Sequence, residues 1–395
     1  MVRRGIDRIL ENSVLFPQAF SAGSRIGFVT SDGAPMKRGS PRRRTTREAL
    51  IEAGCPLSLL FAPEHGLTAN ATDGAAVEDG RDPVTGLPVM SLYGPRLSPR
   101  TQEVADLDLL LFDLQDVGAR FYTFLWTLSH VMEACAEAGT PLRVLDRPNP
   151  LGGLEEWVEG PLPDPHAPSG LLGRWPVPIR HSLTLGELAL LLRAEMGLDL
   201  DLDVIAMEGW RRRDLLPGTG LEWHPPSPGL PTFASAFLYP GLALLEATNV
   251  LEGRGTPLAF QWLGAPWMDP VLGAAELDSI GIPGIRAHPQ DLPGDGTSCP
   301  GIRLEVTDAT TLRPVEMGLR LLTLLRTLWP REFDWAPYPT VANPTGEDHL
   351  SRLLASRTLV SFLEGDPRRI QDVHFEVWTR PEGWWERAEP HLLYR

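Results

Sequence analysis

Residues 107–146 read LDLLLFDLQDVGARFYTFLWTLSHVMEACAEAGTPLRVLD, and the apolar runs of this stretch predict the fold class. Its first apolar run, residues 107–112, and its last, residues 142–145, predict strands that are buried on both faces. The apolar segment 122–138 between them predicts a helix that ends at Gly139. Two apolar strands joined by a helix are typical of a parallel sheet that is covered by helices on both faces.

The same alternation extends to both sides of this stretch. Apolar runs before it predict three more strands, at residues 26–30, 57–62 and 89–92. Helical patterns predict helices at residues 45–53, 99–105 and 184–196. A last apolar run predicts a strand near residues 204–207. The first half of the chain therefore predicts an α/β fold with a doubly wound parallel sheet.

The pattern changes after Glu208. A segment rich in proline and glycine, residues 217–231, interrupts the alternation of strands and helices. The later elements are a strand at 302–307, a helix at 314–328, and helices within 349–363 and 367–377. We therefore predict two domains, residues 1–210 and residues 211–395, of which the second is smaller and of the α+β class.

Composition excludes several classes of protein. Of the 395 residues, 43% are hydrophobic and 22% are charged, which is typical of a globular chain with a sizeable core. There are 36 Lys and Arg against 51 Asp and Glu, so the net charge is −15 and no nucleic-acid partner is predicted. The basic cluster of Lys37, Arg38 and residues 42–44 is predicted to be a solvated loop.

Cysteine usage and hydropathy bear on the compartment. The three cysteines, Cys55, Cys135 and Cys299, have the spacing of neither a disulfide framework nor a zinc site, and free thiols fit a reducing compartment. The N-terminal residues contain no apolar stretch of the kind found in signal peptides. No run approaches the roughly 18 apolar residues of a membrane span. We therefore predict a cytoplasmic protein that does not bind a membrane.

Polar residues follow every predicted strand of the first half. They occupy residues 30–33, 63–66, 93–94, 113–120 and 146–150. Ligands bind outside the carboxyl ends of the strands in an open parallel sheet. The sequence therefore predicts a polar cleft at this edge, lined by acidic residues and arginines.

The motifs of several common enzyme classes are absent from the sequence. No G-x-G-x-x-G follows the first strand and there is no P-loop, so neither a dinucleotide nor a nucleoside triphosphate is indicated. There is also no G-x-S-x-G or H-E-x-x-H. One group of side chains could gather a metal ion: Glu64, His65, Asp113, Asp116 and His181. Scattered acidic residues are more often structural, so we predict neither a metal nor another cofactor.

Glu64 is the sharpest single candidate for catalysis. It lies in the turn 63–66 that leaves a predicted buried strand, where desolvation would raise its pKa toward the range of a general acid. A carboxylate that caps the next turn or pairs with an arginine fits the same position. Position alone leaves both interpretations open.

A second candidate cluster lies at residues 246–256, which read EATNVLEGRGT. Glycines on both sides of Arg254 allow the backbone to approach a ligand closely, and Glu252 alternates with Arg254 around Gly253. The alternative is a solvated turn with a surface ion pair, which would contribute little to stability. We favour that alternative for Glu246, and less so for Glu252 and Arg254.

Motifs spread over nearly the whole chain carry a resemblance. In chain order they are APEHG at 62–66, TGLPV at 85–89, SLYG at 91–94, FDLQDVGARFYT at 112–123, LDRPNPLGG at 145–153, EGP at 159–161, PIRH at 178–181, MEGW at 207–210, YPG at 239–241 and TNVLEGRGT at 248–256. So many long motifs in a fixed order are specific. The chain resembles the bacterial exo-β-N-acetylmuramidase family, long catalogued as a domain of unknown function.

The resemblance implies a glycoside hydrolase that removes one N-acetylmuramic acid from the non-reducing end of peptidoglycan fragments. It also implies a Rossmann-like domain joined to a second domain, with the active site in the cleft between them. Relatives carry glutamates that match Glu64 and Glu252 as catalytic candidates. We predict Glu64 as the general acid and Glu252 as its partner, with exchangeable roles. The expected partner is a small carbohydrate substrate, and no cofactor is implied.

The 3-O-lactyl carboxylate distinguishes N-acetylmuramic acid from glucosamine, and arginine can bind such a group with two parallel hydrogen bonds. The arginines within the family motifs are Arg120, Arg147, Arg180 and Arg254. Arg254 and Arg120 are our first candidates for this contact. The other predicted substrate-binding residues, for each of which a structural role is an equal alternative, are His65, Tyr93, Asp116, Asn149, His181 and Asn249.

Two other classes of function remain open at this stage. A sugar- or peptidoglycan-binding protein without turnover would use the same cleft and would tolerate Glu64→Gln. A metal-dependent hydrolase acting on muropeptides would lose its activity in EDTA. The resemblance favours the muramidase over both.

Overall fold

The computed structural model describes residues 2–12, 16–36, 45–166, 170–293, 298–366 and 375–395. The basic loop predicted at residues 37–44 lies outside these ranges, as does most of the helix predicted at 367–377. The strands are β1 (Ile26–Thr30), β2 (Leu57–Ala62), β3 (Gly80–Arg81), β4 (Pro88–Ser91), β5 (Leu109–Asp113), β6 (Leu142–Leu145), β7 (Leu202–Ile205), β8 (Trp262–Gly264), β9 (Ile285–Pro289) and β10 (Gly301–Val306). The helices are α1 (Gly5–Glu11), α2 (Pro17–Phe20), α3 (Thr46–Glu52), α4 (Thr101–Ala105), α5 (Phe124–Ala138), α6 (Leu185–Glu195), α7 (Phe233–Leu242), α8 (Pro270–Ile280), α9 (Pro314–Leu328), α10 (His349–Leu354), α11 (Arg357–Glu364), α12 (Glu376–Thr379) and α13 (Trp384–Ala388).

Strands β1 to β7 form one sheet in the order β3-β4-β2-β1-β5-β6-β7. Its neighbouring strands are parallel except β3, which pairs with β4 in the antiparallel sense. In the central strand β1, Phe28 pairs with Leu60 of β2 and with Leu111 of β5. The chain winds outward from β1 in both directions, so the predicted doubly wound α/β sheet is confirmed. The switch point between β1 and β5 is where such sheets bind ligands.

Alternate residues of each central strand point to opposite faces of the sheet, and both faces are buried. Phe28, Leu60 and Leu111 belong to one apolar cluster, which includes residues of α1 and α3. Val29 and Phe112 belong to the other, which includes α5 and α6. Because both faces are covered, the strands are apolar throughout, which is why the sequence revealed them.

The second half of the chain forms a smaller antiparallel sheet in the order β8-β10-β9, with α8 and α9 packed close by. Helix α7 packs closely on α9, and a Cβ added to Gly241 would lie 2.0 Å from the carbonyl oxygen of Pro314. This arrangement agrees with the predicted smaller α+β unit. Within the described residues, no helix is long and apolar enough to cross a membrane.

Most predicted elements of the first half have the observed bounds to within two residues. One difference of two residues concerns β5, which begins at Leu109 rather than at Leu107. The backbone N–H of Leu107 instead donates to the carbonyl oxygen of Val104, which closes the turn after α4. The strand predicted near 204–207 lies two residues earlier, as β7.

Candidate active site

Loop 63–74 follows β2 and carries Glu64. Four of its residues have left-handed backbone conformations: His65 (φ 67°), Gly66 (φ 73°), Ala69 (φ 56°) and Gly74 (φ 67°). Such conformations are unfavourable for residues with a Cβ and concentrate at functional sites. The N–H of Asp32, after β1, donates to the carbonyl oxygen of Leu67 and holds the loop to the sheet edge. The tight turn directs Glu64 inward, where only 5% of the residue is exposed.

The Glu64 carboxyl is held by neutral donors. Its Oε1 accepts a hydrogen bond from the N–H of Gly74 at 2.9 Å, and its Oε2 accepts one from the Thr123 hydroxyl at 2.6 Å. Burial raises the pKa of Glu64, and the nearby negative charge of Asp73 acts in the same direction, against the opposing effects of His65 and the two hydrogen bonds. A carboxyl in this environment can hold a proton for transfer to a substrate.

Asp73 lies next to Glu64 in a different electrostatic environment. A carboxylate oxygen of each residue and a ring nitrogen of His65 all lie within 4.8 Å of one another. The Oδ2 of Asp73 accepts a hydrogen bond from the Tyr338 hydroxyl at 2.7 Å and lies 2.5 Å from Nη1 of Arg254. Although burial opposes ionisation, Arg254 and Tyr338 lower the pKa of Asp73. Asp73 is therefore held as the charged carboxylate of this pair.

Arg254 joins three carboxylates. Besides Asp73 it contacts Glu246, and its Nε donates to Glu252 at 2.7 Å. Gly253 (φ 74°) has the left-handed conformation that lets the loop turn between Glu252 and Arg254. Burial raises the pKa of Glu252, with Arg254 opposing. Three carboxyl groups of the cluster thus share one guanidinium.

Both halves of the chain contribute to a pocket over Glu64. The polar residues that line it are Glu64, His65, Asp73, Tyr93, Tyr122, Thr123, Tyr239, Glu246, Tyr338, Thr340 and His349. Burial raises the pKa values of Tyr122, Tyr239 and Tyr338, so their hydroxyls remain protonated. The N–H of Val341 donates to the carbonyl oxygen of Gly74, which fixes the second half against loop 63–74. The pocket thus combines carboxyl groups with hydroxyl and imidazole groups, a set suited to a sugar.

Some residues that the sequence indicated meet at this pocket, and others lie apart from it. Glu64, His65 and Tyr93 line it directly, and Arg254 reaches it through Asp73 and Glu246. Glu252 is not among the lining residues; its carboxylate is bound to Nε of Arg254.

The other three arginines of the family motifs are buried and bound elsewhere. Arg120 donates to the carbonyl oxygens of Pro161, Val177 and Leu353. Arg147 forms a bidentate pair with the buried Asp113, and Arg180 donates to the carbonyl oxygen of Leu151. The structure does not bring these three to the pocket lining. Their contacts hold neighbouring segments together.

The remaining candidates are not among the residues that line the pocket. Asp116 and His181 form a buried pair at 3.4 Å. Asn149 donates to the carbonyl oxygen of Leu183 and accepts from the N–H of Leu151. Asn249 is exposed and exchanges hydrogen bonds with the backbone of residues 332 and 334.

Sequence reasoning did not indicate several residues of the pocket. Asp73, Thr123, Tyr338 and His349 were not singled out, and a structural role was favoured for Glu246. Glu246 contacts Arg254 and lies 3.0 Å from Nε2 of His349, so it belongs to the cluster. Thr123 is the last residue of the motif at 112–123, and this position was the one feature of the sequence that could have indicated it as a site residue. Asp73 and Tyr338 lie in irregular segments without one.

Glu64, His65 and Asp73 are also close enough to share a metal ion. Among the described residues, they are the group of three metal-ligating side chains whose ligand atoms lie close enough together to hold one. This group replaces the set with Asp113, Asp116 and His181 that the sequence suggested. Both oxygens of Glu64 accept hydrogen bonds, and Asp73 is bound by a guanidinium that would repel a second cation. These contacts favour acid–base chemistry over metal binding.

Comparison with known proteins finds related sequences and related structures. The family model for the N-terminal part of the exo-beta-N-acetylmuramidase NamZ matches residues 26–234, and the model for its C-terminal part matches residues 237–394. The peptidoglycan beta-N-acetylmuramidase NamZ of Bacillus subtilis is 37% identical over 339 residues, which cover 85% of this chain and 80% of that protein. Two solved DUF1343 family proteins from Bacteroides fragilis superpose with TM-scores of 0.83 and 0.69 at 28% and 26% identity, covering 100% of this chain and 99% of each of theirs. The chain therefore belongs to the exo-β-N-acetylmuramidase NamZ family.

Proposed function

We propose that this protein is an exo-acting glycoside hydrolase that releases N-acetylmuramic acid from the non-reducing end of peptidoglycan fragments. Family membership and the peptidoglycan beta-N-acetylmuramidase activity of the Bacillus subtilis relative support the substrate class. One structural observation carries the chemistry: the buried Glu64 carboxyl lines a pocket, is held by neutral donors, and has a raised pKa. Those are the properties of a general acid for a glycosidic oxygen.

Glycoside hydrolysis needs a second, ionised carboxylate to stabilise positive charge at the anomeric carbon or to attack it. The carboxylates bound to Arg254 supply this group, and Glu252 is the member that the sequence predicted. The pocket hydroxyls of Tyr93, Tyr122 and Tyr239 can donate hydrogen bonds to the sugar. Arg254 stays the proposed contact of the lactyl carboxylate, because it is the arginine of the family motifs that borders the pocket. The contact would use the N–H groups of its Nη atoms that are not bound to Asp73, Glu246 or Glu252.

The test uses N-acetylmuramyl-β-1,4-N-acetylglucosamine and follows the two monosaccharides by mass spectrometry, with and without EDTA. We expect release of both sugars, unchanged by EDTA and lost in Glu64→Gln. Binding of the disaccharide without release would instead identify a sugar-binding protein. Activity that EDTA abolishes would point to the metal-dependent alternative.

We also propose that the enzyme acts in the cytoplasm, on fragments brought into the cell during cell-wall turnover. Cys55, Cys135 and Cys299 are free, which is compatible with a reducing compartment. Cell fractionation with an antibody to the protein tests this location. Recovery outside the cytoplasmic fraction would overturn it.

A further inference from the structure

We infer that Asp73, rather than Glu252, is the ionised carboxylate that works with Glu64 during cleavage of the glycosidic bond. The inference rests on the proposed function, because it names a second catalytic residue for that reaction. It assigns Glu252 a different part, which is to position Arg254. Both assignments follow from the positions of the three carboxyl groups relative to the pocket.

Asp73 and Glu64 share a loop and a pocket. Both line the cavity, and an oxygen of one lies within 4.8 Å of an oxygen of the other. Residue Gly74, directly after Asp73, donates its N–H to Glu64, so the backbone fixes the spacing of the two carboxyl groups. Glu252 is outside the pocket lining, with its carboxylate on the Nε of Arg254.

The surroundings of the two carboxyl groups shift their pKa values in opposite directions. Glu64 receives hydrogen bonds from Gly74 and Thr123, which are neutral, and burial raises its pKa. Asp73 is bound by Arg254 and Tyr338, which lower its pKa against the effect of burial. Two neighbouring carboxyl groups with opposite shifts are the usual arrangement of an acid and its ionised partner.

The spacing also restricts the reaction. An inverting glycosidase holds its carboxyl groups roughly 6.5–9.5 Å apart to admit a water molecule, and a retaining enzyme about 5–5.5 Å apart. One oxygen of Glu64 and one of Asp73 lie within 4.8 Å of each other, which is nearer to the retaining than to the inverting arrangement. In the step we infer, the C1–O bond breaks with its electron pair on the leaving oxygen, which takes the Glu64 proton. Asp73 stabilises the positive charge at C1, and water then adds to C1 and returns a proton to Glu64.

Arg254 explains why Glu252 is still needed nearby. The guanidinium holds Asp73 through Nη1, Glu246 through Nη2 and Glu252 through Nε. Glu252 therefore fixes the orientation of the group that keeps Asp73 ionised. Removing its charge should loosen this contact without removing the partner carboxylate.

The experiment compares Asp73→Asn, Glu252→Gln and Glu64→Gln on two substrates. One is the natural disaccharide, and the other is 4-nitrophenyl β-N-acetylmuramide, whose leaving group departs without protonation. On the disaccharide we expect kcat to fall by about 10²–10³-fold in Asp73→Asn and by less than about tenfold in Glu252→Gln. On the nitrophenyl substrate Glu64→Gln should regain most of its activity, whereas Asp73→Asn should remain impaired.

Controls separate the possible failures. Circular dichroism and thermal unfolding check that each variant is folded. If Asp73→Asn does not fold, Tyr338→Phe removes only the hydroxyl that donates to Asp73; it should lower kcat by about tenfold and move the acidic limb of the pH profile upward. An Asp73→Asn enzyme within tenfold of wild type would overturn the inference, as would a Glu252→Gln enzyme that loses about 10²-fold or more on both substrates. A wild-type enzyme that releases no sugar would overturn the proposed function instead.

Discussion

Two buried carboxyl groups stand at the carboxyl ends of strands in the same sheet, Glu64 after β2 and Asp146 after β6. Each accepts a hydrogen bond from a glycine N–H and one from a threonine hydroxyl, Gly74 and Thr123 for the first and Gly186 and Thr184 for the second. Burial raises the pKa of both, that of Asp146 to about 6.

The two sites differ in what covers them. The hydroxyl of Tyr394, near the C-terminus, donates to Asp146 at 2.5 Å, and its ring packs edge-on against Trp210. Asp146 is thereby sealed, with 1% of the residue exposed. Glu64 instead borders a pocket that also contains Asp73. Burial and a raised pKa therefore do not identify a catalytic carboxyl group; access and an ionised neighbour do.

The two sites should differ most in how substitution of their carboxyl groups affects activity. Glu64→Gln should lower kcat on the disaccharide by about 10²–10⁴-fold, the range typical of a lost general acid, while the protein stays folded. The matched change Asp146→Asn should leave kcat within about fivefold of wild type, because Asp146 has no access to substrate. Steady-state kinetics measure both, at a temperature well below unfolding. Equal losses in the two variants would contradict the distinction.

Burial of the central strands explains why much of the fold could be predicted from the sequence. The central strands are covered on both faces, so they appear as continuous apolar runs, and the bounds of β1, β2 and β6 agree with the prediction. Strand β3 was missed because Gly80 and Arg81 are both exposed and form only a two-residue pair. The sequence pattern reports burial, and this edge strand has none.

The site was only partly predictable, for a related reason. Glu64, His65 and Tyr93 directly follow strands, so the rule that ligands bind at strand ends points to them. Asp73 and Tyr338 are brought together by tertiary contacts such as the hydrogen bond from Val341 to Gly74. Local sequence patterns do not predict contacts between residues that are far apart in the chain. Arginines within motifs, in turn, could not be separated into those that border the pocket and those that hold the scaffold.

The stability of the folded protein should depend on pH through Asp146. The pKa of Asp146 is about 6 in the folded protein against an ordinary 3.8, so the folded state holds the proton more tightly than the unfolded state. The stability that this proton contributes is present below pH 3.8 and is lost as the pH rises toward 6. The difference corresponds to about 3 kcal/mol, since one pKa unit is worth about 1.36 kcal/mol.

Urea unfolding of wild type and Asp146→Asn at pH 4 and pH 7 measures this effect. Asparagine does not titrate, so the variant should gain about 2.4 kcal/mol relative to wild type between the two pH values. This is less than the full difference because Asp146 of the unfolded wild type is already partly ionised at pH 4. Parallel stability curves for the two proteins would show that Asp146 does not titrate in this range.

A smaller effect is expected from the residue that seals Asp146. The Tyr394 hydroxyl donates to Asp146 and accepts from the N–H of Met207, and Tyr394→Phe removes both hydrogen bonds. We expect a loss of about 2 kcal/mol at pH 7, where Asp146 is ionised, because hydrogen bonds to charged groups are the stronger ones. The loss should be smaller at pH 4. Thermal unfolding at both pH values measures it, and a loss that does not depend on pH would contradict the assignment.

The smallest change is expected for the two threonines whose hydroxyls donate to Glu64 and Asp146. The Thr123 hydroxyl stabilises the ionised form of Glu64, so Thr123→Val should raise the pKa of Glu64 further. The basic limb of the kcat/KM profile should then move upward by about one pH unit, with less than a tenfold change at the optimum. Thr184→Val is the matched control; it removes the donor to Asp146 and the N-cap of α6, and should cost about 1 kcal/mol of stability without moving the profile. A profile that shifts equally in both variants would mean that a threonine hydroxyl acts through the fold, and that Glu64 is not the group that titrates.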